Sequence, residues 1–126
     1  MGLSYAMLTL KNPRLPEKEA VTVDALADTG AVYLIIPEHI KLQLGLVDES
    51  QKEVTLADGS KKMVPYVGPL EVKFKNRVAY VGAIVMGDEV LLGAIPMEDM
   101  DLVVIPHQRK VELNPLNPNY AAAKAK

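Results

Sequence analysis

Ala25-Leu26-Ala27-Asp28-Thr29-Gly30-Ala31 is the stretch on which the reading of the whole chain turns. Small apolar residues of strand character deliver a single carboxylate into a Thr-Gly turn. A carboxylate at the end of a buried strand costs free energy unless it is hydrogen-bonded or put to use. Thr29 and the Gly30 backbone are the donors at hand, and Gly30 lets another chain segment come close. Taken alone, the three residues Asp-Thr-Gly fit equally well an Asp that opens an ordinary turn, so the surroundings have to decide.

Outward from this block the pattern has period two, the mark of half-buried strands. Leu70, Val72 and Phe74 alternate with Glu71 and Lys73, giving one apolar and one charged face. Residues 52–57 place Val54 and Leu56 on one side, and residues 4–10 and 21–27 are rich in aliphatic and β-branched side chains. Residues 78–86 and 90–92 are nearly all apolar, as strands covered on both faces are. Turn chemistry falls between these runs, at Asn12-Pro13, Asp58-Gly59, Gly68-Pro69, Lys75-Asn76-Arg77, Gly87-Asp88 and residues 107–109. Asp58-Gly59 is the sharpest hairpin signal, because both positions tolerate positive φ.

Two stretches read as helix. Residues 37–45 open with Pro37, carry Glu38 in the first turn and close on Gly45, with Ile40 and Leu44 on one buried stripe. Residues 96–102 open alike, with Pro96 and then Glu98 and Asp99 toward the positive helix end. About eight short strands with two short helices predict an all-β domain, closed or sandwiched.

A second block repeats the build of the first. Val90-Leu91-Leu92-Gly93-Ala94-Ile95-Pro96 is again an apolar strand, a glycine and a proline-led helix. Between the two blocks lies a hairpin over residues 53–67, with Ala57-Asp58-Gly59-Ser60 at its tip. The chain reads as two loosely similar halves with a protruding hairpin between them.

Composition narrows the chemistry. The 126 residues hold 14 Lys+Arg against 16 Asp+Glu, a net charge of −2, and 49% are apolar. One domain is expected over residues 1–115, with a flexible tail over residues 116–126. The near-neutral balance speaks against nucleic-acid binding by bulk phosphate neutralisation. With no cysteine, disulfides, thiolate metal sites and cysteine nucleophiles are excluded. His39 and His107 are far apart in the chain and read as exposed, with no serine or cysteine partner at triad spacing. Glu98, Asp99 and Asp101 read as helix-end surface acids rather than a metal site, and no cofactor is expected. The six methionines, Met7, Met86 and Met97 among them, read as core filler. Tyr33, Tyr66 and Tyr80 read as core or cleft wall. No apolar run approaches the about 20 residues that span a bilayer, and the first residues carry neither a signal peptide nor a myristoylation signal. The expectation is a cytoplasmic protein without membrane attachment.

In the order of these blocks the chain resembles the retropepsin-like aspartic proteases, single-domain relatives of retroviral protease. The resemblance covers residues 21–106: the Asp-Thr-Gly-Ala block at 26–31, the flap-like hairpin at 53–67 and the apolar-apolar-Gly-helix block at 91–102. It implies a closed acid-protease-like barrel with a flap hairpin and one or two short helices, one lobe per chain. Asp28 would be the catalytic aspartate, with Thr29 and Gly30 supporting the active-site loop. Ala31, Ala57, Asp58, Gly59 and Ser60 would contact substrate. Two features depart from the family pattern: the tip holds Gly59 alone among charged neighbours, and Ala94-Ile95 follow Gly93 where many members carry a polar pair.

One aspartate then implies two chains. Hydrolysis of a peptide without metal or covalent nucleophile needs one group to take a proton from water and another to give one to the carbonyl oxygen. Two touching carboxylates do both, since like charges at that distance keep one shared proton, as is established for the aspartic-protease dyad. A single Asp-Thr-Gly occurs here, so the resemblance implies a homodimer in which Asp28 meets its own copy. Residues 4–10 and 110–113 are the expected dimer strands, and an extended peptide the expected substrate. The alternatives are a dimeric peptide- or protein-binding module of little turnover on the same fold, and a monomeric structural β-domain.

Overall fold

Eleven buried aliphatic and aromatic positions recur at period two along the first, third, fifth and sixth strands, and they close the sheet on itself. The computed structural model describes residues 3–125; the sequence readings made of Met1, Gly2 and Lys126 lie outside them. In chain order the elements are β1 (Tyr5–Lys11), β2 (Val21–Ala27), β3 (Leu34–Ile36), α1 (Glu38–Leu44), β4 (Ser50–Thr55), β5 (Lys61–Phe74), β6 (Arg77–Val85), β7 (Leu91–Leu92), α2 (Ala94–Asp99), β8 (Leu102–Ile105) and β9 (Lys110–Leu113). The sheet runs β4-β5-β6-β3-β7-β2-β1-β9-β8, and β1 also pairs with β5. The ring β5-β6-β3-β7-β2-β1 is thereby a closed six-stranded barrel, with the β4 strand of the hairpin and the β8–β9 hairpin as appendages. The all-β barrel with short helices read from the sequence is the observed fold.

Closure follows from the pattern. Ala6, Leu8 and Leu10 of β1 point inward against Leu70, Val72 and Phe74 of β5, Ala79, Val81 and Ala83 of β6 and Leu34 and Ile36 of β3, all buried. Each such side chain contributes roughly 1.5–3 kcal/mol when fully withdrawn from water, alanine less. Leu92 and Met100 complete the interior at one end. Helix α1 covers that core with Ile40 and Leu44; Pro37 is its extended N-cap rather than its first helical residue, and it stops where Gly45 turns left-handed, as the sequence predicts.

Several sequence readings need correcting. Gly68-Pro69 is no turn between strands: β5 runs straight through it, and its pairing with β6 merely shifts register between Val67 and Leu70. Helix α2 begins at Ala94 behind Gly93, two residues before Pro96, so Glu98 and Asp99 fall at its C-terminal end and not in its first turn. β6 is covered on both faces only over its second half, since Val78 and Tyr80 are exposed. Met97 and Met100 do fill core, whereas Met7 and Met63 stand on the surface at 58% and 56% exposure. Of the strands expected at a dimer seam, β1 is paired with β2 and β5, whereas β9 pairs with β8 and meets β1 only at Tyr5 and Lys110.

Beyond β9 the chain folds back over the barrel's end. Arg77, 2% exposed, donates through Nε to the Met100 carbonyl at 2.8 Å and through Nη2 to the Asn117 carbonyl. Asp101 accepts from Asn114 at 3.0 Å, Asn117 at 2.8 Å and the Ala122 amide at 3.1 Å. Among the described residues no helix is long and apolar enough to cross a membrane.

Candidate active site

β2 ends at Ala27, and the next four residues make a tight loop. The Ala31 amide donates to the Asp28 carbonyl at 3.0 Å, and the Gly30 amide donates to Asp28 Oδ1 at 3.0 Å. This side-chain turn is the donor arrangement the sequence suggests for Gly30; Thr29 is exposed and makes no such bond. Among the described residues, the Gly30 amide is the one donor to the Asp28 carboxylate, which leaves Oδ2 free.

The second block grips the first. β2 and β7 pair in parallel, Leu26 beside Leu91 and Ala27 beside Leu92. The Leu26 amide donates to Val90 O and the Asp28 amide to Leu92 O, each at 3.0 Å. Past Gly93 the direction reverses: Ala94 and Ile95 donate to the Ala31 and Val32 carbonyls at 2.8 and 2.9 Å. Residues 28–32 are therefore held on the same side by strand β7 and by the start of α2. Gly93 makes this crossing fit, because a side chain there would run into the Tyr33 and Ala31 carbonyl oxygens. The likeness of the two halves read from the sequence is, in space, a direct main-chain contact between them.

In front of the loop lies a cleft of about 660 Å³. Asp28, Gly30 and Ala31 form one wall with Val32 and Tyr33, and Ala57 with Val54 and Leu56 of the hairpin forms another. Ile35, Ile84, Met86 and Leu91 supply an apolar floor. The sequence-predicted residues Asp28, Gly30, Ala31 and Ala57 thus come together. Thr29 does not line the cleft, and neither do Asp58, Gly59 and Ser60, which stand exposed at the hairpin tip. There Asp58 Oδ1 accepts from the Ser60 hydroxyl at 2.6 Å and the Ser60 amide at 2.9 Å, which holds the Asp58 carboxyl below the ordinary aspartate range.

Sequence reasoning expected the hairpin and its Ala57 at the cleft, but missed Val54, Leu56 and most of the floor. Val54 and Leu56 carried a usable signal, their shared face at period two, but nothing in the pattern says that this face meets Asp28. Tyr33 of the cleft wall packs edge to face on Tyr66, ring centroids 5.6 Å apart, and Lys52 of β4 sits over both rings. Tyr80, by contrast, is exposed and bonds Glu71 at 3.2 Å. Among the described residues no three His, Cys, Asp or Glu side chains come together as metal ligands.

Chemically the site offers one half-buried carboxylate, steadied on one oxygen, beside a mostly apolar cleft whose hairpin wall also carries the exposed Glu53 and Thr55. No protein-family model matches this sequence, and a comparison with curated proteins finds no significant match.

Proposed function

We propose that the protein is an aspartic endopeptidase of retropepsin-like type, working as a homodimer in which the two Asp28 carboxylates face each other. The observation that carries the reading is the placement of Asp28: Oδ1 held by the Gly30 amide, Oδ2 free, at the edge of an apolar cleft walled on one side by a hairpin. The resemblance in the order of the sequence blocks supports it. Each chain supplies one carboxylate of a pair that keeps a single proton. The ionised Asp28 takes a proton from water as the water oxygen attacks the peptide carbonyl carbon. The protonated Asp28 gives its proton to the carbonyl oxygen, and the resulting diol collapses with proton transfer to the leaving amine. An extended peptide suits the cleft, because β4 can add main-chain hydrogen bonds as an edge strand does. The reading needs no cofactor and places the protein in the cytoplasm, which cell fractionation tests separately.

Subunit mixing tests the reading. Wild-type and Asp28→Asn chains are exchanged at equal amounts and fixed total concentration, and cleavage of an unstructured peptide is followed with and without a statine-type inhibitor. A shared dyad leaves about a quarter of the wild-type rate, since only wild-type homodimers work. A rate of about half, or one unaffected by inhibitor, overturns it.

The second reading keeps the dimer and gives up turnover: a peptide-binding module. The placement of Asp58, Gly59 and Ser60 outside the cleft favours it, because a tip that stays there would not close over a substrate. Binding of peptides without hydrolysis at any acidic to neutral pH would select it.

A further inference from the structure

Lys52 has an unusual setting. Its ammonium lies 4.6 Å from the centre of the Tyr66 ring and 5.2 Å from that of Tyr33. Among the described residues no carboxylate lies within 4 Å of it, and the two rings are what its ammonium meets. A cation over aromatic faces is held by the ring quadrupoles, and an edge-to-face ring pair adds its own attraction.

The three residues come from three parts of the site. Tyr33 belongs to the segment that follows the Asp28 loop and lines the cleft. Lys52 lies on the outgoing strand of the hairpin and Tyr66 on the returning one, where Ser50 is its direct neighbour. Tyr66 is the fixed member. The phenol end of its ring lies against Gly82 of β6, so close that a methyl group there would overlap the phenol oxygen and ring carbons. Lys52 and Tyr33 are thus both referenced to the barrel wall through one ring.

We propose that Lys52 is a positioning residue of the cleft. Its ammonium ties the base of the hairpin to Tyr33, and so sets the resting distance between the hairpin wall and the Asp28 loop. Lys52 does not line the cleft and touches no reacting atom. It acts through Tyr33 on how firmly an extended peptide is held, not on bond cleavage. The proposal rests on the reading of this cleft as the peptide site. An interaction made equally in the ground and transition states changes KM and leaves kcat alone.

The test uses the full chain and has two readouts. The first, amide hydrogen exchange across residues 50–66, needs no substrate. Lys52→Met keeps the length and loses the charge, and is expected to speed exchange in the hairpin by about fivefold to thirtyfold, the factor two cation–π contacts correspond to. Protection in β2 stays at the wild-type level, which shows the barrel intact. The second readout is peptide hydrolysis, where Lys52→Met raises KM by a similar factor with kcat unchanged. Lys52→Arg restores both, because a guanidinium stacks on the same faces. Gly82→Ala, which displaces Tyr66 without touching Lys52, reproduces the exchange effect. Unchanged hairpin exchange in Lys52→Met overturns the proposal, as does a fall in kcat at constant KM, or Lys52→Arg behaving like Lys52→Met. If wild type cleaves no peptide, the proteolytic reading falls while the exchange experiment still decides the clamp.

Discussion

The amide of Asp28 donates to the carbonyl of Leu92 at 3.0 Å, and this bond joins the two halves of the chain where the carboxylate leaves the barrel. One residue on, Gly93 passes against the loop, and Ala94 and Ile95 bond the Ala31 and Val32 carbonyls at its other end. A side chain on a loop held at both margins is kept in one place, which a reacting group needs and an ordinary surface turn does not.

Replacing the charge should therefore remove activity without loosening the loop. Asp28→Asn keeps an oxygen to accept from Gly30 and buries nothing new. Peptide cleavage is expected to fall by at least about 10²–10⁴-fold, while the unfolding midpoint in urea moves by less than about 0.5 kcal/mol equivalent. Paired cleavage and denaturation measurements check this.

Gly93→Ala makes the converse case. The added methyl collides with main-chain carbonyls of Tyr33 and Ala31, which have no rotamer with which to yield. A destabilisation of about 1–3 kcal/mol is expected in chemical denaturation, with Asp28 displaced and cleavage lost together.

Asp101 links stability to pH. Bonds from Asn114, the Ala122 amide and Asn117 hold its carboxyl below the ordinary aspartate value. A carboxyl depressed by folding stabilises above its unfolded pKa, and the contribution is lost as pH falls through the folded value. Asp101→Asn suits the positive φ of 54° at this position and removes the charge together with one of the two accepting oxygens. Urea midpoints should separate wild type from Asp101→Asn at neutral pH, and the gap should close below about pH 4. A gap independent of pH would contradict the assignment.

Arg77 anchors the same end of the barrel from inside. Arg77→Ala leaves the Met100 and Asn117 carbonyls without their donor and opens a void, for an expected loss of about 2–4 kcal/mol. Limited proteolysis should then cut within residues 114–122 sooner than in wild type.

What the sequence makes legible is local. β2 has the bounds its residues suggest, Asp58-Gly59 does turn a hairpin, and Pro37 and Gly45 bracket α1, because each depends on a few adjacent side chains. Gly68-Pro69 misled because a turn and a bulge ask for the same residues, and only the partner strand β6 tells them apart. Helix α2 starts two residues before Pro96, with Gly93 as its extended N-cap, because a proline fits any position of a first helical turn and so marks the start only to within a turn. In the site, Asp28, Gly30 and Ala31 were readable as one block. The Tyr33–Tyr66–Lys52 cluster was not, since residues 33, 52 and 66 meet only through the successive pairing of β3, β6, β5 and β4. Met7 and Met63 show the limit of residue type as a guide to burial, because each sits on the outward side of its strand.

The central claim is tested most directly by the separation of the two Asp28 carboxylates in a crystal of the assembled protein. The account predicts a two-fold dimer with carboxylate oxygens about 3 Å apart, near enough to share a proton. Asp28 side chains facing solvent, or farther than about 6 Å from each other in every assembly that forms, would contradict it.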